Sequence, residues 1–104
     1  MCGFIGSVSY SNNDFDKIKN CNDLILCRGP DEYKELNINS NDFFGLSNLF
    51  LQFIFNRLSI IDLSEKASQP MISKKYKSIL LFNGEIYNHR ELRKELEKEG
   101  EKFY

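Results

Sequence analysis

The chain begins Met1-Cys2-Gly3-Phe4-Ile5-Gly6 (MCGFIG), and the cysteine directly behind the first methionine governs how the rest is read. Cys2 is small, so removal of Met1 is expected, which leaves one residue carrying both a thiol and a free α-amine. A free α-amine titrates near ~8 and a free thiol near ~8.5, so each exchanges a proton close to neutrality. Such a residue can be a nucleophile with its own base, as N-terminal threonine nucleophiles are. It can equally be an early cysteine without a role. Position alone leaves both readings open.

Working outward, FIGSVSY (Phe4–Tyr10) mixes apolar and small residues and predicts a short strand. Ile18, Cys21, Leu24 and Ile25 recur at helical spacing and predict a helix that stops before Arg28-Gly29-Pro30. Asn37 to Asp42 is polar and predicts a turn, and aromatic-rich Phe43 to Phe55 predicts two buried strands or a hairpin. RLSIIDL (Arg57–Leu63) reads as extended and leads into a loop, SEKASQPMISKK; YKSILLF (Tyr76–Phe82) predicts a further strand. The last helix is set by Asn88 as cap, Glu91 three residues on as the partner of a capping box, a buried stripe of Leu92 and Leu96, and Gly100 as its stop. Phe103-Tyr104 then reads as the start of another strand.

Composition narrows the function. With 104 residues the chain makes one small domain. Its 14 basic and 15 acidic side chains leave no electrostatic footprint for nucleic acid or an anionic membrane. The N-terminus lacks the basic and apolar regions of a signal peptide. Phe43 to Phe55 falls short of the ~20 apolar residues a bilayer span needs. Cys2, Cys21 and Cys27 form no C-x-x-C pair, which points to a reducing, cytoplasmic setting rather than disulfides or zinc. His89, the one histidine, supplies neither a metal site nor a Ser/His/Asp triad and reads as structural or solvated.

Four segments remain for chemistry: MCGFIG, CRGPDEY, NRLSIIDLSEKASQPM and LLFNGEIYNHRELR. Each has an ordinary reading. Arg28-Gly29-Pro30-Asp31 can be a helix stop and turn, and it lacks the glycines and Lys-Ser/Thr of a phosphate loop. Asn83-Gly84 is a hairpin signal, but Glu85-Ile86-Tyr87 runs into a helix rather than a return strand.

Taken together, in this order and spacing, the segments resemble the N-terminal half of the class II glutamine amidotransferase domain of glutamine-hydrolysing asparagine synthetases. That resemblance covers essentially the whole chain. It implies an α+β fold of the N-terminal-nucleophile hydrolase type, an αββα sandwich of which residues 1–104 are the first half. It implies hydrolysis of L-glutamine to glutamate and ammonia by Cys2, with the ammonia passed to an ATP-dependent synthetase domain that makes asparagine. Asn83 and Gly84 match the family's oxyanion hole. Arg57 matches the arginine that pairs with the substrate α-carboxylate, Leu58, Ser59, Ile60 and Ile61 line the pocket, and Glu85 faces the α-ammonium. Arg28 to Asp31 is assigned to a supporting turn.

No cofactor is implied in this segment; ATP and magnesium belong to the synthetase domain, which the resemblance places outside it. So is a further acidic residue, expected beyond Phe103-Tyr104. On this reading the domain is truncated on its C-terminal side, and the apolar surfaces of Phe43–Phe55 and Ile79–Phe82 lack partners. A non-catalytic fragment, or one piece of a split enzyme completed by a separate chain, is the alternative. Two local departures stand out: Cys27 replaces a histidine before Arg-Gly-Pro-Asp, and Ile54-Phe55 stand where Gly-His is common shortly before the arginine.

Overall fold

A computed structural model describes residues 2–12, 15–45, 48–60 and 64–103. Three antiparallel strands form the main sheet: β1 (Gly3–Ser9), β2 (Glu32–Asn39) and β3 (Phe50–Arg57), in the order β1-β3-β2. β3 is paired along both edges, from Gly3↔Asn56 to Ser9↔Phe50 on one side and from Glu32↔Arg57 to Asn39↔Phe50 on the other. Ladders on both sides satisfy its backbone, so this apolar strand is buried without orphaned backbone groups. Alternation puts Phe50, Gln52, Ile54 and Asn56 on one face and Leu51, Phe53, Phe55 and Arg57 on the other.

The first of these faces is covered by α1 (Phe15–Asn20) and by two 3-10 turns, Cys21–Leu24 and Leu26–Arg28. Phe15 meets Phe50 edge-on at 6.0 Å, and Asn56 Nδ2 donates to Asn22 Oδ1 at 2.5 Å in the interior. The helix expected to run up to Arg28 therefore ends at Asn20. Asn and Asp are poor helix formers, and the tighter turn lets Asn22 turn inward to Asn56. Leu51, Ile54 and Phe55 are the buried apolar residues among those described.

Residues 37–42 are not a turn. Asn37 to Asn39 complete β2, because pairing with β3 overrides the local preference of asparagine for turns. The chain then makes α2 (Ser40–Phe44), capped by Asn39, whose Oδ1 accepts from the Asn41 N–H at 3.0 Å, and closed by Gly45 at φ 67°. Phe43 and Phe44 thus belong to a helix, and the expected pair of strands is a single one, β3. Both edges and much of the surface of β3 do find partners, whereas Leu80 and Phe82 stay half-exposed.

A second, two-stranded sheet joins β4 (Met71–Ser73), in the stretch expected as loop, to β5 (Ser78–Leu80), a shortened form of the expected strand. The final helix, α3 (His89–Lys98), ends as expected: Gly100 adopts φ 95°, its N–H reaches Glu97 O at 3.1 Å, and the Glu101 N–H reaches Leu96 O at 2.9 Å. Its start differs. Asn88 sits at φ −94°, ψ 27°, outside the extended region a capping side chain needs, and makes no cap hydrogen bond. The Leu92–Leu96 stripe is not buried either: the two residues are 39% and 40% exposed, since no described element packs over them. Phe103 stacks under Arg93 at 5.0 Å rather than starting a strand, and Tyr104 lies outside the described residues. This open second half agrees with a radius of gyration of 15.5 Å, against about 13 Å for a compact domain of similar length.

Candidate functional site

Cys2 immediately precedes β1, so the β1–β3 register carries it to the end of β3. The Leu58 N–H there points at Cys2 Sγ, at 3.4 Å, and the Leu58 carbonyl lies 3.8 Å from the sulfur. The carbonyl of Cys2 accepts from two sides, from Asn83 Nδ2 at 2.9 Å and from Arg28 Nε at 3.4 Å. Asn83 is 81 positions away in sequence, so the fold itself creates this contact. An asparagine amide has two N–H groups, so one donor serves Cys2 and a second remains.

Arg28-Gly29-Pro30-Asp31 is the brace behind this arrangement. A Cβ on Gly29 would lie 2.3 Å from the Asn56 carbonyl oxygen and 2.7 Å from the Arg57 nitrogen, so only glycine permits the close crossing. The Asp31 N–H donates to Arg57 O at 3.0 Å, and the Ser59 N–H donates to Asp31 Oδ2 at 2.7 Å. The turn therefore holds residues 57–59, and through Leu58 the sulfur.

Arg57 is 7% exposed and is gripped from within: Nη1 donates to Glu32 Oε2 at 3.2 Å and to the Ser64 carbonyl at 3.1 Å. Glu32 also accepts from Ser68 Oγ at 2.8 Å. Burial works against the charge on Glu32, but the hydrogen bonds from Ser68 and Arg57 and the nearby Lys34 outweigh it and hold its carboxyl below the usual range.

Of the residues singled out in the sequence, Cys2, Arg57, Leu58, Ile60, Asn83, Gly84 and Glu85 line one open cleft of about 650 Å³. Ser59 turns to Asp31, and Ile61 lies outside the described residues. Ala67, Gln69, Met71 and Tyr87 complete the wall and were not singled out. Gln69 and Met71 lie in the Gln-Pro-Met segment, where nothing local marks either side chain for a role. Glu32 and Ser68 were missed as well, because nothing local marks an ion pair closed by strand register. His89 is exposed, with Nδ1 3.2 Å from Ile86 O. Among the described residues no group of three or more His, Cys, Asp or Glu could hold a metal ion. No helix among them is long and apolar enough to cross a membrane.

The chain matches the family model for the glutamine amidotransferase domain over residues 1–104. It is 38% identical over 108 residues to asparagine synthetase [glutamine-hydrolyzing] 1 of Bacillus subtilis, covering 99% of this chain and 15% of that protein. It is 31% identical to putative asparagine synthetase [glutamine-hydrolyzing] 2 of Methanocaldococcus jannaschii, over 97% of this chain and 21% of the relative. The human asparagine synthetase [glutamine-hydrolyzing] is 38% identical over 76 residues, 72% of this chain and 12% of its own length. The chain thus spans between 12% and 21% of the length of these relatives. No solved structure matches it. A small α+β chain whose whole length fits one family model, with relatives at this identity, belongs to the glutamine amidotransferase domain family.

Proposed function

We propose that this chain is the glutaminase part of an asparagine synthetase-like enzyme, with Cys2 as the N-terminal nucleophile once Met1 is removed. The observation that carries the reading is convergence: segments near residues 2, 57 and 84 meet in one cleft, with the Leu58 N–H on the sulfur and Asn83 bonded to the Cys2 carbonyl. In the first step the α-amine of Cys2 takes the thiol proton, and the sulfur attacks the side-chain carboxamide carbon of L-glutamine. The resulting oxyanion is met by the remaining Asn83 amide N–H and the Gly84 backbone N–H. The ammonium of Cys2 then returns a proton to the leaving nitrogen, ammonia departs, and a thioester remains. Water, giving a proton to the same amine, attacks the thioester; glutamate leaves and the thiol is restored.

Arg57 takes the substrate α-carboxylate with a guanidinium that Glu32 and Ser64 already hold in place, which lowers the ordering cost of binding. Glu85 faces the α-ammonium. The two sheets are read as parts of an αββα sandwich, with the ammonia passed to a synthetase domain that holds ATP and magnesium and aminates aspartate, in the cytoplasm.

The test is intact mass before and after exposure to a diazoketone analogue of glutamine, beside a Cys2→Ala variant. Loss of Met1, a single adduct on Cys2 and no glutamate release by Cys2→Ala are expected. Adducts on Cys21 and Cys27 with Cys2 spared would overturn the reading.

A further inference from the structure

Asn83 and Gly84 sit in a stretch, residues 81–88, without helix or strand. β5 ends at Leu80, so no ladder fixes the backbone that must present an oxyanion donor. The residue just before them, Phe82, is instead held by one side chain. Gln69 Oε1 accepts from the Phe82 N–H at 2.5 Å, and Gln69 Nε2 donates to Phe82 O at 2.9 Å. A primary amide used in this way replaces a strand partner: it offers one donor and one acceptor in the geometry of a peptide group. Among uncharged side chains only asparagine and glutamine carry that pair, and asparagine is one methylene shorter.

Gln69 is itself anchored. Its neighbour Ser68 is buried and donates to Glu32, the partner of Arg57. On the other side, Asn83 reaches the Cys2 carbonyl. The clamp thus stands between the guanidinium at one end of the cleft and the amide at the other. Gln69 also lines the cleft, but its amide is spent on Phe82.

We infer that Gln69 is a positioning residue for the oxyanion donors, acting through the Phe82 backbone on Asn83 and Gly84; this rests on the glutaminase reading above. Because the oxyanion exists in the transition state and not in bound glutamine, loosening the clamp lowers kcat while leaving KM nearly unchanged. Alkylation of Cys2 by iodoacetamide displaces iodide from a saturated carbon and needs no oxyanion donor, so it keeps its rate.

The experiment measures glutamate release by the full-length protein for wild type, Gln69→Ala, Gln69→Glu, Asn83→Ala and the Gln69→Ala/Asn83→Ala double variant. Iodoacetamide alkylation of Cys2 is followed in parallel. Gln69→Ala is expected to lower kcat by about 10–100-fold, somewhat less than outright loss of a donor, with KM within about threefold. Gln69→Glu keeps the size and the acceptor but loses the donor, and gives a smaller loss in a chain whose volume is unchanged. In the Asn83→Ala background the Gln69→Ala effect shrinks to a fewfold, since only the Gly84 donor is then left for Gln69 to hold in place.

A kcat unchanged in both Gln69 variants, a loss that multiplies fully with that of Asn83→Ala, or a parallel fall in Cys2 alkylation would overturn the inference. Failure of the glutaminase reading looks different: wild-type hydrolysis would then be absent or would survive Cys2→Ala, and the inference would fall with it.

Discussion

β3 and α3 are both amphipathic or apolar segments of similar length, yet one is the most buried element of the molecule and the other has no buried residue. β3 lies between two strands and under α1, so its backbone is paired along both edges while its apolar side chains are covered. α3 is held by local devices: the glycine closure at Gly100, an Arg93–Glu97 pair at 3.0 Å, and the link from Lys75 and Tyr76 to Glu101 just beyond it. The difference extends to the cleft. The Cys2 and Arg57 wall is built from ladders and the Gly29 crossing; the Asn83 wall is held by the side-chain amides of Gln69 and Asn83. Rigid and lightly held halves of one site therefore follow from the same sequence.

The hardest way to break the first half is at its closest approach. Gly29→Ala places a methyl 2.3 Å from the Asn56 carbonyl oxygen, and backbone cannot yield as a flexible side chain can. Urea unfolding is expected to show a loss of about 3 kcal/mol, the upper part of the overpacking range, with Cys2 becoming readily accessible to thiol reagents. No loss would mean that the crossing is looser than these distances.

The contrast itself is sharpened by matched truncations. Ile54 is fully buried and Leu96 is 40% exposed. Ile54→Ala should cost roughly 3 kcal/mol from lost burial and the cavity left behind, and Leu96→Ala well under ~1 kcal/mol, since much of its surface is already wet. Equal costs in urea titrations would erase the distinction between the two elements.

A smaller effect is expected at Glu32→Gln, which leaves Arg57 with a weaker partner. Hydrogen bonds to charged groups are worth about 2 kcal/mol. The carboxyl of Glu32 is lowered in the folded state. Its stabilisation is therefore present above the unfolded value, near ~4.3, and is lost as pH falls through the lower folded value. Stability of the wild type should decline with acid in that window, and the Glu32→Gln chain should decline less. Parallel acid profiles would show that Glu32 is not the responsible group.

Some of this was legible residue by residue. β1 follows from its apolar and small residues, and α3 from its Leu92–Leu96 spacing and its glycine stop. Cys2, the Arg28–Asp31 turn and the Asn83-Gly84 segment could be picked out because unusual residue types stand in a recognisable order. β2 was not legible: Glu32-Tyr33-Lys34-Glu35 carries polar groups to both faces, and Asn37 to Asn39 favour turns until β3 lies beside them. The roles of Glu32 and Gln69 were not legible either. An ordinary glutamate and an ordinary glutamine acquire them only from the strand and loop they face.

The sequence alone determined the chemistry on offer: a thiol behind the first methionine, an arginine, an amide beside a glycine, and the family to which their order belongs. Tertiary structure alone decided that these groups meet. Pairing 53 residues apart in the chain, as between Gly3 and Asn56, sets the sulfur beside Leu58, and the β2–β3 register closes Arg57 onto Glu32. Contacts of this kind depend on register and closure, which no local pattern of residues encodes, because each partner's preference is satisfied equally well by water until the sheet forms.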